Sequence, residues 1–403
     1  MKTSSSCLCC GGKVSVLVDF GPQTPSNRFE LPESPVTDRH PLMVGQCEAC
    51  GLIQLLDPMP PAMAKSRFEW LTYNEPEGHL DDLVSRLCRL PELDSGSRIV
   101  GLTYKDDSTL ARFNSLGYAN TYRYEPSADF GLTDPCASLE SIQAALDATT
   151  AARLASSHGL ADVLLVRHVL EHAHDPVGFL RAVATLVKPG GYLLFEMPDS
   201  EKFIKACDYS FIWEEHITYL CVPTLAALIG NAGLLLQDTI VYPYPLEDSL
   251  IGIVRNAPGA VQRQQGHEAL LADGANFGRR YPELRAWLQT LLGDWQRAGK
   301  KTAIFGAGHL AAKFVNMYGL EKLVDCVIDD NSHKRTLLMP GSRLAIRGSA
   351  DLDARGINLC LLSLSPESEQ KVRAKNQPFL DRGGRFLSIF ALSPVSVYAA
   401  DLR

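Results

Sequence analysis

ADVLLVRHVLEHAHDP (Ala161–Pro176), KPGGYLLFEMPDS (Lys188–Ser200) and FIWEEHITYL (Phe211–Leu220) follow one another along this chain, with a helical run between the first two. The first is an apolar strand ending in polar residues. The second is a Pro-Gly-Gly turn that leads into another apolar strand. The third gathers Trp213, Glu214, Glu215 and His216. A strand–helix–strand unit whose strand ends carry His and Glu is where an open α/β sheet places its chemistry.

Working outward, the same alternation starts at Ser97. SRIVGLT reads as a strand, and DDSTLARFNSLG as a helix with Asp107 or Ser108 at its N-cap and Gly117 at its C-cap. YANTYRYEPS is the next strand, and a further helix covers residues 138–156. This β-α-β-α-β-α-β order implies a mostly parallel sheet covered by helices. Beyond the WEEH segment come a helix (TLAALIGNAG) and two strands, LLLQDTIVYPYP and DSLIGIVRN, expected as an antiparallel edge. Residues 258–299 have long helical periodicity, with breaks expected near Gly274 and Pro282. At Lys300 a second, smaller α/β unit begins. The expected class is α/β, with two doubly wound Rossmann-like domains and a small N-terminal zinc-stapled module. The domains are placed at 1–60 (zinc module), 61–257, 258–299 (helical connector) and 300–403.

The N-terminal module rests on cysteine spacing. Cys7-x-x-Cys10 and Cys47-x-x-Cys50 are two knuckles separated by 36 residues, each followed by glycine. Zinc binds four thiolates in a tetrahedron, and a CxxC turn presents two from one side. The CxxC spacing favours Cys10 over Cys9. Neither pair opens a helix after a strand, as a redox CxxC would. The intervening segment is too polar to build a core, so the metal would supply the folding energy.

Bulk properties bound the partners. In a chain of 403 residues a net charge of -7 argues against nucleic acid as a partner, because phosphate backbones want a basic stripe. No apolar run approaches the roughly 20 residues that span a bilayer, and MKTSSSCLCC lacks the apolar core of a signal peptide. No membrane association and a cytoplasmic location are therefore expected. The remaining cysteines read as small buried hydrophobes.

Two strand ends suggest ligand chemistry. Glu125 closes the second strand of the first α/β unit, where a carboxylate can accept both hydroxyls of a ribose. The first turn, GLTYKDDST, has only Gly101, although a nucleoside approaching such a turn usually needs glycines. In the second unit, Gly306-Ala307-Gly308-x-x-Ala311 follows a strand, with Asp329 about twenty residues on, as in a dinucleotide fingerprint. Lys313 there is a candidate phosphate contact.

RHVLEHAHDP, the PGG turn, EMPD and WEEHITYL resemble the S-adenosylmethionine-dependent sugar C-methyltransferases. CLCC…VGQCEACGLIQL matches that family's zinc module, and FGAGHLAAKF…VIDDN its C-terminal Rossmann-like domain. The resemblance implies methylation of carbon on a nucleotide-linked sugar or related keto substrate, with structural zinc and S-adenosylmethionine as cofactors. His216 falls on the proposed general base, Glu215 on its orienting partner, and His172 on a His that would stabilise an enolate oxygen. Trp213 stands where the family has a tyrosine. Aligning Thr109-Leu110 puts Tyr104 and Ser108 on the two loop glycines and Leu102 on an acidic residue. Leu246, Glu247, Asp248 and Ser249 stand where the family has His-Gly-Gly-Ser. In the resembled family the C-terminal domain helps form the substrate cleft.

The candidate catalytic residues are therefore His216, Glu215, His172 and Tyr73. Gly101, Tyr104, Asp107, Ser108, Glu125 and His168 are the candidate cofactor contacts. Trp213, His79, Ser249 and Lys313 are the candidate substrate contacts, and Cys7, Cys10, Cys47 and Cys50 the metal ligands. Two other readings stay open. One is a methyltransferase-fold protein that runs His/Glu acid–base chemistry without the cofactor; the other is a non-catalytic binding protein.

Overall fold

The computed structural model describes residues 6–35, 39–68, 75–137, 139–259 and 267–399. Tyr73 lies outside the described residues. The chain divides into two units. The first comprises Met1–Val16, Gly45–Glu201 and Glu215–Leu271, and the second Leu17–Val44, Lys202–Glu214 and Ala272–Arg403.

The N-terminal region forms a small sheet from β1 (Val14–Gln23), β2 (His40–Cys47), β3 (Ile53–Leu55) and β8 (Thr218–Tyr219), in the order β1-β2-β3-β8. The chain leaves the first unit within β1 and returns to it within β2. β8 pairs antiparallel with β3 through Ile53↔Tyr219 and Gln54↔Thr218.

The main sheet of the first unit has β4 (Ile99–Gly101), β5 (Thr121–Arg123), β6 (Ala161–Arg167), β7 (Val187–Asp199), β9 (Leu234–Tyr242) and β10 (Asp248–Pro258), in the order β5-β4-β6-β7-β10-β9. β5, β4, β6 and β7 are parallel. β10 runs antiparallel to β7 and to β9. The last two strands are antiparallel as expected, but β10 is inserted against β7 and only β9 is an edge. The pattern of β10 explains this: Leu250, Ile251, Ile253 and Val254 are all buried, so both of its faces are covered. Alternate residues of the central strands feed two cores. Leu164, Val166, Leu193 and Phe195 face one, and Val163, Leu165 and Leu194 the other. From β4 the chain goes out to β5 and returns past β4 to β6. This reversal makes the carboxyl ends of β4 and β6 a topological switch point, where open α/β sheets bind ligands.

The second unit contains β11 (Lys301–Phe305), β12 (Cys326–Ile328), β13 (Ile346–Arg347), β14 (Ile357–Leu362) and β15 (Arg385–Ser388), all parallel in the order β13-β12-β11-β14-β15. Before it runs a helix from His267 to Arg297, unbroken at Gly274 and with Pro282 inside it. The expected breaks do not occur. An internal proline costs about 3 kcal/mol, but Phe277, Tyr281, Leu288 and Leu292 form a buried stripe that crosses it. Tyr281 also donates its hydroxyl to the Met317 carbonyl at 2.6 Å. Packing outweighs local preference here.

Gly278 permits a close approach within this unit, since a Cβ there would lie 2.7 Å from the Leu17 carbonyl oxygen. In an isolated helix, Gly to Ala gains roughly 1 kcal/mol. Gly278→Ala is expected to reverse that sign and lower the midpoint of urea unfolding.

Candidate active site

The cysteine knuckles close one end of the first unit. The Cys7 and Cys50 sulfurs are 3.5 Å apart, as are those of Cys10 and Cys47. All four sulfurs lie within 4.8 Å of one another. Zinc–sulfur bonds of about 2.3 Å in a tetrahedron place the sulfurs about 3.8 Å apart, so the set fits a zinc ion. Gly11 and Gly51 take left-handed φ of 72° and 71° at the knuckle tips. Amides of Cys9, Ala49 and Cys50 point at the sulfurs, as a thiolate cluster requires. Burial, together with the neighbouring thiols, pushes Cys10 up to about 11, a crowding that a dication relieves.

A chain of hydrogen bonds leads from this cluster to His216. Gln54 of β3, buried, accepts from the Leu8 amide at 2.9 Å and so holds the loop of Cys7. The next residue, Leu55, donates its amide to the Ile217 carbonyl at 2.9 Å. On its other side Ile217 donates to the Glu171 carbonyl at 2.7 Å. One peptide thus clamps the segment of His216 between the module and the end of β6. The His172 and His216 rings then meet edge to face at 4.8 Å.

His172 is buried, and its Nδ1 lies 3.2 Å from Glu140. Burial lowers its pKa, but Glu140, aided by Glu171 and Glu215, raises it to about 9. His172 is therefore an imidazolium near neutral pH. Glu171, His172 and His216 offer donor atoms within 4.8 Å of one another. With His172 protonated and Glu171 beside it, the trio can hold and move a proton. Glu171 is 2% exposed, yet neither carboxylate oxygen has a hydrogen-bond partner. Its nearest ion-pair partner is His168 Nδ1 at 3.6 Å.

A second cluster centres on Glu196 of β7, which is fully buried. Its carboxylate takes Arg167 Nε, His79 Nε2 at 3.1 Å, His168 Nε2 at 3.5 Å and the Ser249 hydroxyl at 3.0 Å. The Tyr244 hydroxyl lies 2.8 Å from His79 Nδ1. His168 has φ 55°, a strained value for a non-glycine residue, and its amide donates to the Glu196 carbonyl at 2.8 Å. Burial opposes its charge, but Glu171 and Glu196 prevail and raise its pKa to about 10. That value exceeds the roughly 6.5 of a free histidine. The interaction therefore stabilises the fold fully below that pH and is lost as pH rises through about 10. Glu247 is half-buried, and desolvation, with Glu171 and Glu75 nearby, raises it to about 8. It is a carboxylic acid near neutral pH.

The turn after β4 is closed by protein groups. Residues Tyr104–Asp106 form one 3-10 turn capped by Thr103, and the helix Asp107–Ser115 that follows has Asp106, not Asp107 or Ser108, at its N-cap. Asp106, fully buried, accepts from the amides of Thr103 at 2.9 Å and Arg167 at 3.2 Å. A Cβ on Gly101 would lie 2.8 Å from the Asp106 Cβ, so this glycine makes room for Asp106. The Ser108 hydroxyl is engaged by Glu77 at 2.6 Å and Arg167 at 3.2 Å. Arg123 bridges Asp107 and Glu125, each at 2.8 Å. The Glu125 side chain stays 53% exposed. Tyr104 is 51% exposed and does not fill the switch point. Its hydroxyl, pushed up to about 12 by burial, feels Glu75, Glu140 and Glu215.

Of the expected contacts, His79, His168 and Ser249 converge on Glu196, while His172 and His216 pair. Trp213 and Lys313 belong to the second unit. There Trp213 stacks on His309 at 4.5 Å, and the buried Lys313 pairs with Glu214. The dinucleotide-like acid is already engaged: Asp329 accepts the Ala307 amide at 2.9 Å and pairs with Lys334 at 3.1 Å. Residue patterns alone missed Glu140, Glu171, Arg167 and Glu196 as members of the site. Arg167 and Glu171 stood in the RHVLEH motif and Glu196 in the EMPD strand, whereas Glu140 lay in no motif.

Replacing Glu196 with Gln leaves Arg167 and His168 buried without their counter-charge. A loss of roughly 3–5 kcal/mol is expected in chemical denaturation. Stripping zinc with a chelator, or Cys47→Ser, should release the module and with it the clamp on Ile217. One bound zinc per chain by mass spectrometry, and loss of the thermal transition on its removal, check this.

Three domain-family models match in succession: a domain family described as zinc binding at residues 7–63, a methyltransferase domain at 73–238 and a C-methyltransferase C-terminal domain at 264–391. The C-methyltransferase NovU of Streptomyces niveus is 24% identical over 364 residues, 86% of this chain and 85% of its own length. The ubiquinone biosynthesis O-methyltransferase of Parvibaculum lavamentivorans is 30% identical over 113 residues, 25% of this chain and 44% of its own. Among solved structures, magnesium protoporphyrin IX methyltransferase from Synechocystis, with bound S-adenosylhomocysteine, aligns at TM-score 0.31 and 12% identity. That alignment covers 46% of this chain and 90% of the other. With these three domains in this order and a C-methyltransferase alignable along most of its length, the chain is a methyltransferase similar to the C-methyltransferases.

Proposed function

We propose that this protein transfers a methyl group from S-adenosylmethionine to a carbon beside a keto group on a nucleotide-linked sugar, with His216 as the general base. The His172–His216 pair, held by Glu140 and beside Glu171, whose carboxylate accepts no hydrogen bond, carries the reading.

The residues at the switch point fit the methyl donor. Glu125 is exposed at the end of β5, suited to ribose hydroxyls. Glu171 offers a buried carboxylate without a hydrogen-bond partner. Bound there, the methyl donor supplies an electrophilic methyl on a sulfonium. His216 removes the proton from the substrate carbon, and Glu215 orients its ring. His172, protonated, donates to the oxygen on which negative charge develops. The protonated Glu247 donates to a substrate oxygen, and the Ser249 oxygen accepts from a substrate hydroxyl while its own proton and His79 stay on Glu196. The substrate class follows from the resemblance in the motifs of this core.

A reading without the methyl donor is favoured by one observation: the space beside Gly101 is taken by Asp106. Calorimetric titration with S-adenosylmethionine separates the two. Binding at micromolar to millimolar donor supports methyl transfer, and silence at millimolar donor overturns it. His216→Ala should lower kcat by about 10²–10⁴-fold, the range of general base catalysis, with an unchanged fold by circular dichroism. Since His172 acts as the acid, kcat/KM should fall as pH rises through about 9. Glu140→Gln removes the group that raises His172 and should shift that alkaline limb to lower pH.

A further inference from the structure

The second unit holds a cavity of about 460 Å³ away from its Gly306–Gly308 turn. Its wall includes the C-terminal end of the helix His309–Tyr318, where Gly319 takes a left-handed φ of 65°. Roughly 300–1,000 Å³ is the size of pockets that take small metabolites.

Arg39 and Arg285 line this cavity. Among the described residues, neither guanidinium has a hydrogen bond or an ion pair. A single unpaired arginine on a surface is ordinary; two on one concave wall are a candidate anion site. Thr24 lines the same space. It is 2% exposed, and its hydroxyl has no hydrogen-bond partner. The Ser342 hydroxyl, also buried on this wall, lacks one too. A buried hydroxyl without a partner costs free energy that a ligand oxygen would recover. Two acids complete the lining. Asp19 uses one carboxylate oxygen to hold the Gly21 amide at 2.8 Å, and Glu321 is open.

We propose that this cavity binds a phosphorylated, polyhydroxylated small molecule, either a sugar phosphate or a nucleotide. Two guanidiniums match a phosphoryl dianion better than a single carboxylate, because each offers a forked pair of donors to two oxygens. The hydroxyls of Thr24 and Ser342 extend that donor set. Asp19 and Glu321 accept from hydroxyls of the sugar or ribose. The site lies wholly in the second unit and is independent of the methyl-transfer reading.

Calorimetric titration of the full chain with inorganic phosphate, glucose 1-phosphate and uridine diphosphate tests it. One of the two organic phosphates is expected to bind at least tenfold more tightly than inorganic phosphate. Which one binds identifies the source. The Arg39→Ala/Arg285→Ala double variant should weaken that binding at least tenfold with an unchanged melting temperature. His216→Ala, which removes the proposed base alone, should leave it unaltered. No binding of any of the three at millimolar concentration would overturn the proposal. So would equal affinity for inorganic phosphate, or unchanged binding in the double variant.

Discussion

The peptide group of Ile217 joins three segments that are far apart in sequence. Its carbonyl takes the Leu55 amide of β3 and its amide binds the Glu171 carbonyl at the end of β6. Both bonds are main-chain bonds, so they fix backbone position whatever the side chain. His216, next in the chain, inherits that position and meets His172. The cysteine knuckles act on the site through this peptide: they order the module, the module presents β3, and β3 holds the segment of His216. Apolar residues of this region, among them Val14, Val44, Leu52, Ile53 and Leu55, are buried, and a metal on the four cysteines would add to that packing.

The other constraint is electrostatic. Glu196 brings a carboxylate to the switch point with no exposure to water, where an unpaired charge would be very unfavourable. Arg167 and His168, neighbours at the end of β6, share it with His79 and Ser249 from remote parts of the chain. The result is a patch in which the charged Arg167 and His168 lie near Glu171 and Glu247. A residue holding left-handed backbone, His168, sits within it. Strain of this kind persists where surrounding bonds over-determine it, and here the strand bond to Glu196 does so.

Strand order and sheet type were readable because they follow from periodicity. The apolar runs of β6 and β7 are continuous, as strands buried on both faces must be, and the glycines after helices mark their ends. The unbroken helix across Pro282 was not readable, since what stabilises it is a stripe of contacts to residues remote in sequence. The turn after β4 shows the same limit. Its lack of glycines was plain, but that Asp106 folds back into the space beside Gly101, leaving Tyr104 outside, depended on the path of β6.

By itself the sequence determined the α/β class, the two cysteine knuckles and the His and Glu at the strand ends, because spacing and periodicity are local properties of the chain. Motif resemblance also pointed to His172 and His216, each for its own role, and the structure brings their rings together. Only the tertiary structure decided which charges meet. Glu140, Glu171 and Glu196 lie on separate elements, and a carboxylate acts on a histidine through space over a few ångströms, not through sequence distance. That is also why Asp329, which reads as a ribose acid, is engaged by Ala307 and Lys334 instead. The same reason left Arg39 and Arg285 unremarkable until folding put them on one wall.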